Sequence, residues 1–169
     1  MARSFTDRMI GASTLDIATF EEVEHDETAT MQAAGVVALV AAAQAAVAFG
    51  AGPIMMLRAA GSQLIGVGLW CAITFFIGTR LFKGTATIGE LFRTVGFALS
   101  PQILVLLALL PFVGGLIGFA LAPILAIWVL VAVVIGVRAA LDVSTGQAVM
   151  SAVLGAVAYV VLTLIVPGL

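Results

Sequence analysis

Five stretches of this chain are each apolar for about the length of one membrane crossing: Met31–Gly50, Gly61–Leu81, Leu91–Leu110, Gly115–Val137 and Gln147–Val166. A helix needs roughly 20 apolar residues to cross the hydrocarbon core of a bilayer. Inside that core only a helix or a closed barrel satisfies its own backbone hydrogen bonds. The breaks carry turn chemistry: "GAGP" at 50–53, "KGTATIGE" at 83–90, "PFVGG" at 111–115 and "DVSTG" at 142–146. The expected fold is an all-α integral membrane protein, a five-helix transmembrane bundle. Composition supports this. Only 9% of the residues are charged and mean hydropathy is +1.25, against about 25% charged in a soluble domain. Too few charges remain to cover a water-facing surface.

Orientation follows from the basic residues of the short loops. With the N-terminus cytoplasmic and the C-terminus outside, Arg3, Arg8, Arg80, Lys83, Arg93 and Arg138 fall on the cytoplasmic side and only Arg58 falls opposite. "MARSFTDRMIGAST" holds two arginines but no apolar stretch of signal-peptide length, so insertion is expected to use the first internal span.

Residues 1–30 differ from the rest. Leu15, Phe20 and Val23 share a helical face with Ile17 at its flank, and Phe5, Met9 and Ile10 do so on a shorter helix. This reads as a cytoplasmic segment of one or two short interfacial helices on the membrane surface, followed by the spanning domain over 31–169. Between spans, close packing needs small residues. Gly118, Ala122 and Ala126 recur every four residues on the fourth span, and Ala148, Ala152 and Ala156 on the fifth.

Candidate sites are few. Arg138 and Asp142 are four apart at the end of the fourth span and so share a helical face. Arg80 ends the second span, and Glu90 and Arg93 open the third. At similar depth, Arg80, Glu90, Arg93, Arg138 and Asp142 could form a cytoplasmic-side charge network, either a structural latch or a pocket for an anionic lipid headgroup. The alternative is that each snorkels to water separately. The run "EEVEHDET", 21–28, holds potential ligands, but His25 is the chain's only histidine and no second cluster completes a coordination sphere. No metal and no cofactor is expected. A solvated face or a docking surface fits the run better.

No Ser/His/Asp or Cys/His set exists, and Cys71, the only cysteine, sits in an apolar run. Spans one, two, four and five lack ionisable residues at their centres, which argues against proton relays and ion pathways. Catalysis is not expected. A net charge of −2 argues against nucleic acid.

The third span contains "RTVGFALSPQ", 93–102. Pro101 removes a hydrogen bond and frees the carbonyl of Phe97, which a neighbour, Ser100 or water must satisfy. A kink packed tightly against the second or fourth span is the first reading, and a cytoplasm-open pocket the second.

Three strings, "FFIGTRLFKGTATIGELFRTVGFALSP", "LPFVGGLIG…IW" and "GVRAALDVSTGQAV", together resemble the bacterial branch of the Yip-domain family of Ypt/Rab-interacting membrane proteins. The family's Gly-aromatic-x-x-x-Pro motif is matched by Gly96, Phe97, Ser100 and Pro101. Its Asp-Leu-aromatic-Gly-Pro motif has no counterpart here. The resemblance implies five spans and a cytoplasmic N-terminus. For eukaryotic relatives it implies vesicle trafficking and binding of prenylated small GTPases. The missing motif leaves small-GTPase binding without a matched residue in this chain. The expected role is scaffolding or lipid organisation in a prokaryotic cytoplasmic membrane. Its partners would be membrane lipids, further copies of the chain or a membrane complex. An accessory subunit or a small-solute or lipid transporter are the alternatives.

Overall fold

The computed structural model describes residues 3–111 and 114–165, and their side chains apart from those of 114, 116–118 and 162–165. Two short helices open the chain: α1, Phe5–Ser13, and α2, Ile17–His25. Ser4 starts α1 with a reciprocal cap, its hydroxyl accepting from the Asp7 N–H while the Asp7 carboxylate accepts from the Ser4 N–H. Asp16 caps α2 through the Ala18 N–H. Then follow α3, Ala29–Val47, α4, Pro53–Arg80, and α5, Ile88–Ala98. A 3₁₀ helix, Ser100–Leu109, continues α5 toward the far side. The last two helices are α6, Gly114–Leu141, and α7, Thr145–Ile165.

Four segments are long and apolar enough to cross a membrane: Ala29–Val47, Pro53–Arg80, Ile88–Leu109 and Phe119–Leu141. Helix α7 is apolar over the shorter run Thr145–Val161. The end of the expected fifth span, Val166, lies outside the described residues. The second crossing begins earlier than its apolar run. Gly52, at φ 94°, turns the chain, and Pro53 opens α4 in the first helical position. Arg58 therefore lies inside α4 rather than in a loop.

The crossings form one bundle. Its centre is filled by Val36 and Val40 of α3, Leu91 and Phe97 of α5, and Val133 and Val137 of α6, all essentially buried. The N-terminal helices contribute to this same core through Ala12, Phe20 and Val23. Their apolar faces are turned onto the bundle. Phe20 packs against Gly136 of α6, and Phe5 meets Phe97 edge-on at 6.3 Å. Ile10 and Ile17 remain exposed.

The small-residue stripes behave differently on the two helices. Ala148 and Ala152 of α7 are fully buried, but Ala122 and Ala126 of α6 point outward. The inner face of α6 is instead Leu125, Val129, Ala132, Val133 and Val137. A four-residue spacing selects a face without saying which side it takes, and here the larger side chains fill the interior. The surroundings of Gly118 lie outside the described residues.

Candidate site at the basic end of the bundle

One end of the bundle gathers α1, α2, the start of α3, the end of α4, the start of α5 and the α6–α7 turn. The Thr85 N–H donates to Leu141 O at 3.2 Å, which closes the loop after α4 onto the end of α6. All six basic residues of the expected cytoplasmic side belong to this end. The charges nevertheless do not form the anticipated five-membered network. Among the described residues no ion pair joins Arg80, Glu90, Arg93, Arg138 and Asp142. Arg80 and Arg138 are exposed. The Glu90 carboxylate accepts from the Thr87 N–H at 2.7 Å, the reciprocal half of the α5 cap. Asp142 stands just past α6 at φ 52° and accepts from the Thr85 hydroxyl at 3.3 Å. A helix C-terminus with the next residue in the left-handed region places Asp142 outside the register in which position i+4 faces Arg138.

Arg93 is buried, 7% exposed. Its Nε donates to Val23 O at 2.9 Å and to Glu24 O at 3.1 Å, its Nη2 also donates to Glu24 O, and its Nη1 reaches the Thr30 hydroxyl at 3.4 Å. Helix ends leave their last carbonyls without intrahelical partners, and a cation there also matches the helix dipole. Arg93 therefore serves α2 as a cap supplied from the third crossing. Trp128 of α6 does the same for α1, its Nε1 donating to Ser13 O at 2.8 Å.

Arg8 is the most enclosed charge, 1% exposed. It donates to Glu22 Oε1 from Nε at 3.1 Å and from Nη2 at 2.8 Å, to Asp26 from Nη2, and to Gln32 Oε1 of α3 from Nη1 at 2.9 Å. Arg3 adds Asp16 at 2.8 Å and Glu22 at 3.5 Å. Burial pushes the Glu22 carboxyl up, but Arg8 and Arg3 outweigh it and the net shift is downward. The Thr28 hydroxyl and then Arg8 hold Asp26 at about 2. Burial, with Asp142 and Glu90 behind it, raises Glu24, whose neighbour His25 at 3.7 Å does not offset it. Two of the five acidic residues of the run are thus committed to Arg8. Sequence reading treated Arg8 only as a topology marker. Its signal lay in Glu22 and Asp26, four apart on one face of α2. No group of three metal-ligating side chains occurs among the described residues.

Two hollows flank this hairpin. A polar groove of about 320 Å³ lies between α2 and the end of α6, with Glu21, Glu24, His25, Arg138 and Asp142 on its walls. An apolar groove of about 390 Å³ runs between α1 and the third crossing, floored by Pro101, Ile103 and Trp128. The proline motif itself is buried. The Ser100 hydroxyl donates to Phe97 O at 2.7 Å, satisfying the carbonyl that Pro101 leaves free. Gly96 packs against the first crossing, not the second or fourth. A Cβ on it would come within 2.9 Å of Ala33 Cβ. The reason is that α3 is alanine-rich at this level and lets the α5 backbone approach closely.

A family model described as the Yip1 domain matches residues 17–165. No curated protein and no solved structure matches the chain.

Proposed function

The chain belongs to the Yip1-domain family as an integral membrane protein, and on that premise we propose that it is a non-catalytic scaffold that organises lipid or protein partners through its basic end. The observation that carries this reading is the placement of charge. Among the described residues, every Asp, Glu, Lys, Arg and His of the crossings lies near a helix end. Transport of protons or ions, and hydrolysis within the membrane, require such groups at depth. The hairpin α1–α2 is held to the bundle by Arg8, Arg93 and Trp128, so its outer face is a fixed surface. The polar groove beside it offers both signs of charge to a partner.

The gathering of six of the seven basic residues at one end supports a cytoplasmic N-terminus. The resemblance to the family's bacterial branch supports a prokaryotic cytoplasmic membrane as the setting. Extraction into lipid nanodiscs from native membrane, followed by native mass measurement, tests the proposal. A defined self-oligomer or a bound lipid set is the expected result. Co-migration with a fixed set of other chains would instead make the protein a subunit of a larger complex. A monomer without bound molecules overturns the scaffold reading.

A further inference from the structure

At mid-height of the bundle, away from the basic end, α4, α7 and the start of the 3₁₀ stretch enclose a cavity of about 150 Å³. Gly66, on its wall, lies about 20 Å from either end of α4. That is the level of the bilayer midplane. The cavity wall is mostly apolar, yet it carries a cluster of neutral polar groups. Gln63 Nε2 donates to Gln102 Oε1 at 3.1 Å, bridging the second and third crossings. The phenol of Tyr159 lies against the Gly66 backbone, its oxygen 2.8 Å from where a Cβ would stand. Trp70 closes the side toward the basic end, its Nε1 donating to Ala152 O at 3.0 Å.

The amide pair leaves hydrogen-bonding capacity unused. One amide N–H and one amide oxygen meet each other. Whichever way the two amides are turned, three amide N–H groups remain unpaired, and three carbonyl lone pairs with them. The Tyr159 hydroxyl has no partner among the described residues, and the Ser62 hydroxyl already donates to Arg58 O. Together with the Tyr159 hydroxyl these N–H groups are what the cavity offers to an incoming acceptor. No water is available from the surrounding hydrocarbon, and polar groups there are costly when left unmade. No charged side chain lines the cavity, so it suits no ion and no charged headgroup. Its volume is that at which an engineered cavity in another protein accepts benzene. Val160, half exposed on the outer face, stands at its rim.

The geometry points to a lipid-accessible binding site for an uncharged, six-membered ring bearing carbonyl oxygens, of the quinone kind. The ring fits the volume, the carbonyls supply the acceptors that the amide N–H groups and the Tyr159 hydroxyl lack, and neutrality matches the depth.

The experiment uses the full chain in nanodiscs of defined phospholipid, with unsubstituted 1,4-benzoquinone as probe and toluene as a ring of similar size without acceptors. Tryptophan emission is followed during titration. The quinone is expected to quench saturably. Its affinity should fall at least ten-fold in Gln63→Leu/Gln102→Leu, while toluene binds that variant as well as it binds the native chain. Tyr159→Phe, which removes one hydroxyl and nothing else, should weaken the quinone alone about three-fold and serves if the double variant does not fold. Quenching that never saturates, or equal quinone affinity in native and variant protein, overturns the assignment.

Discussion

Replacing Arg8 by leucine leaves Glu22 and Asp26 on one face of α2 with no cation between them. Removing one partner of a buried charge cluster costs about 3–5 kcal/mol. Both carboxylates keep some access to water, so a loss of about 2–3 kcal/mol is expected in a denaturant or thermal unfolding series. Arg8→Lys should recover less than half of it, because an ammonium cannot span two carboxylates and the Gln32 amide with a planar fork. Asp142→Asn provides the contrast. Asp142 is exposed and carries no ion pair, and asparagine tolerates its left-handed backbone equally well. Its effect should stay within about 0.5 kcal/mol. An Asp142→Asn loss approaching that of Arg8→Leu would restore the latch between Asp142 and Arg138. Individual charges were visible in the sequence, but their partners were not. Arg93 binds carbonyls, which no residue pattern announces, and Arg8 binds carboxylates from a helix that sequence placed on the membrane surface.

Among the elements, the third crossing departs furthest from a plain helix. Its α-helical start is closed by Thr87 and Glu90, and its 3₁₀ continuation begins at Ser100–Pro101. A 3₁₀ helix rises about 2.0 Å per residue against 1.5 Å for an α-helix, so the ten residues Ser100–Leu109 gain about 5 Å of reach. The proline was legible as a break, and so was the need to satisfy Phe97 O. A change of helix type over the whole remaining crossing was not, since 3₁₀ and α patterns of leucine look alike over ten residues. Where α5 meets α3, Gly96→Val should force the helices apart, because the obstructing atoms are Ala33 Cβ and the Ala33 backbone, which cannot swing away. Overpacking of this kind costs about 1–3 kcal/mol. Gly115→Val, at a position with open space around it, is the control and should change unfolding little. Equal losses in the two would show that the α3–α5 contact is not tight.

For the molecule as a whole, the bundle was legible because lipid as solvent admits few architectures, and apolar length alone declares them. The docking of the hairpin was not legible, because an amphipathic helix has the same pattern whether it faces lipid or protein. That docking should depend on acid. Asp26 and Glu22 titrate lower when folded than the ordinary 3.8 and 4.5. Their contribution is fully present above those values and is lost as pH falls through the folded ones. Glu24, held high by burial, acts in the opposite sense and adds no loss on that path. Hydrogen exchange of α1 and α2 should therefore hold or slow from pH 7 to about 4.5, where protonation of His25 and Glu24 favours the folded hairpin, and speed up relative to the crossings toward pH 2, after correction for intrinsic rates. A uniform response of hairpin and bundle would refute the coupling.

The arginine cap on α2 also has a mechanical meaning. The Arg93 side chain runs from the third crossing to the carbonyls of Val23 and Glu24, at the last turn of the hairpin. A force applied at the N-terminus is met first by the contacts of Arg8 and Trp128 on α1, and then by that guanidinium alongside the short connection from Asp26 into α3. A pull on the hairpin loads a helix that lies more than sixty residues away along the chain, so tension at the surface would be passed to the start of the third crossing as well as to the directly connected α3.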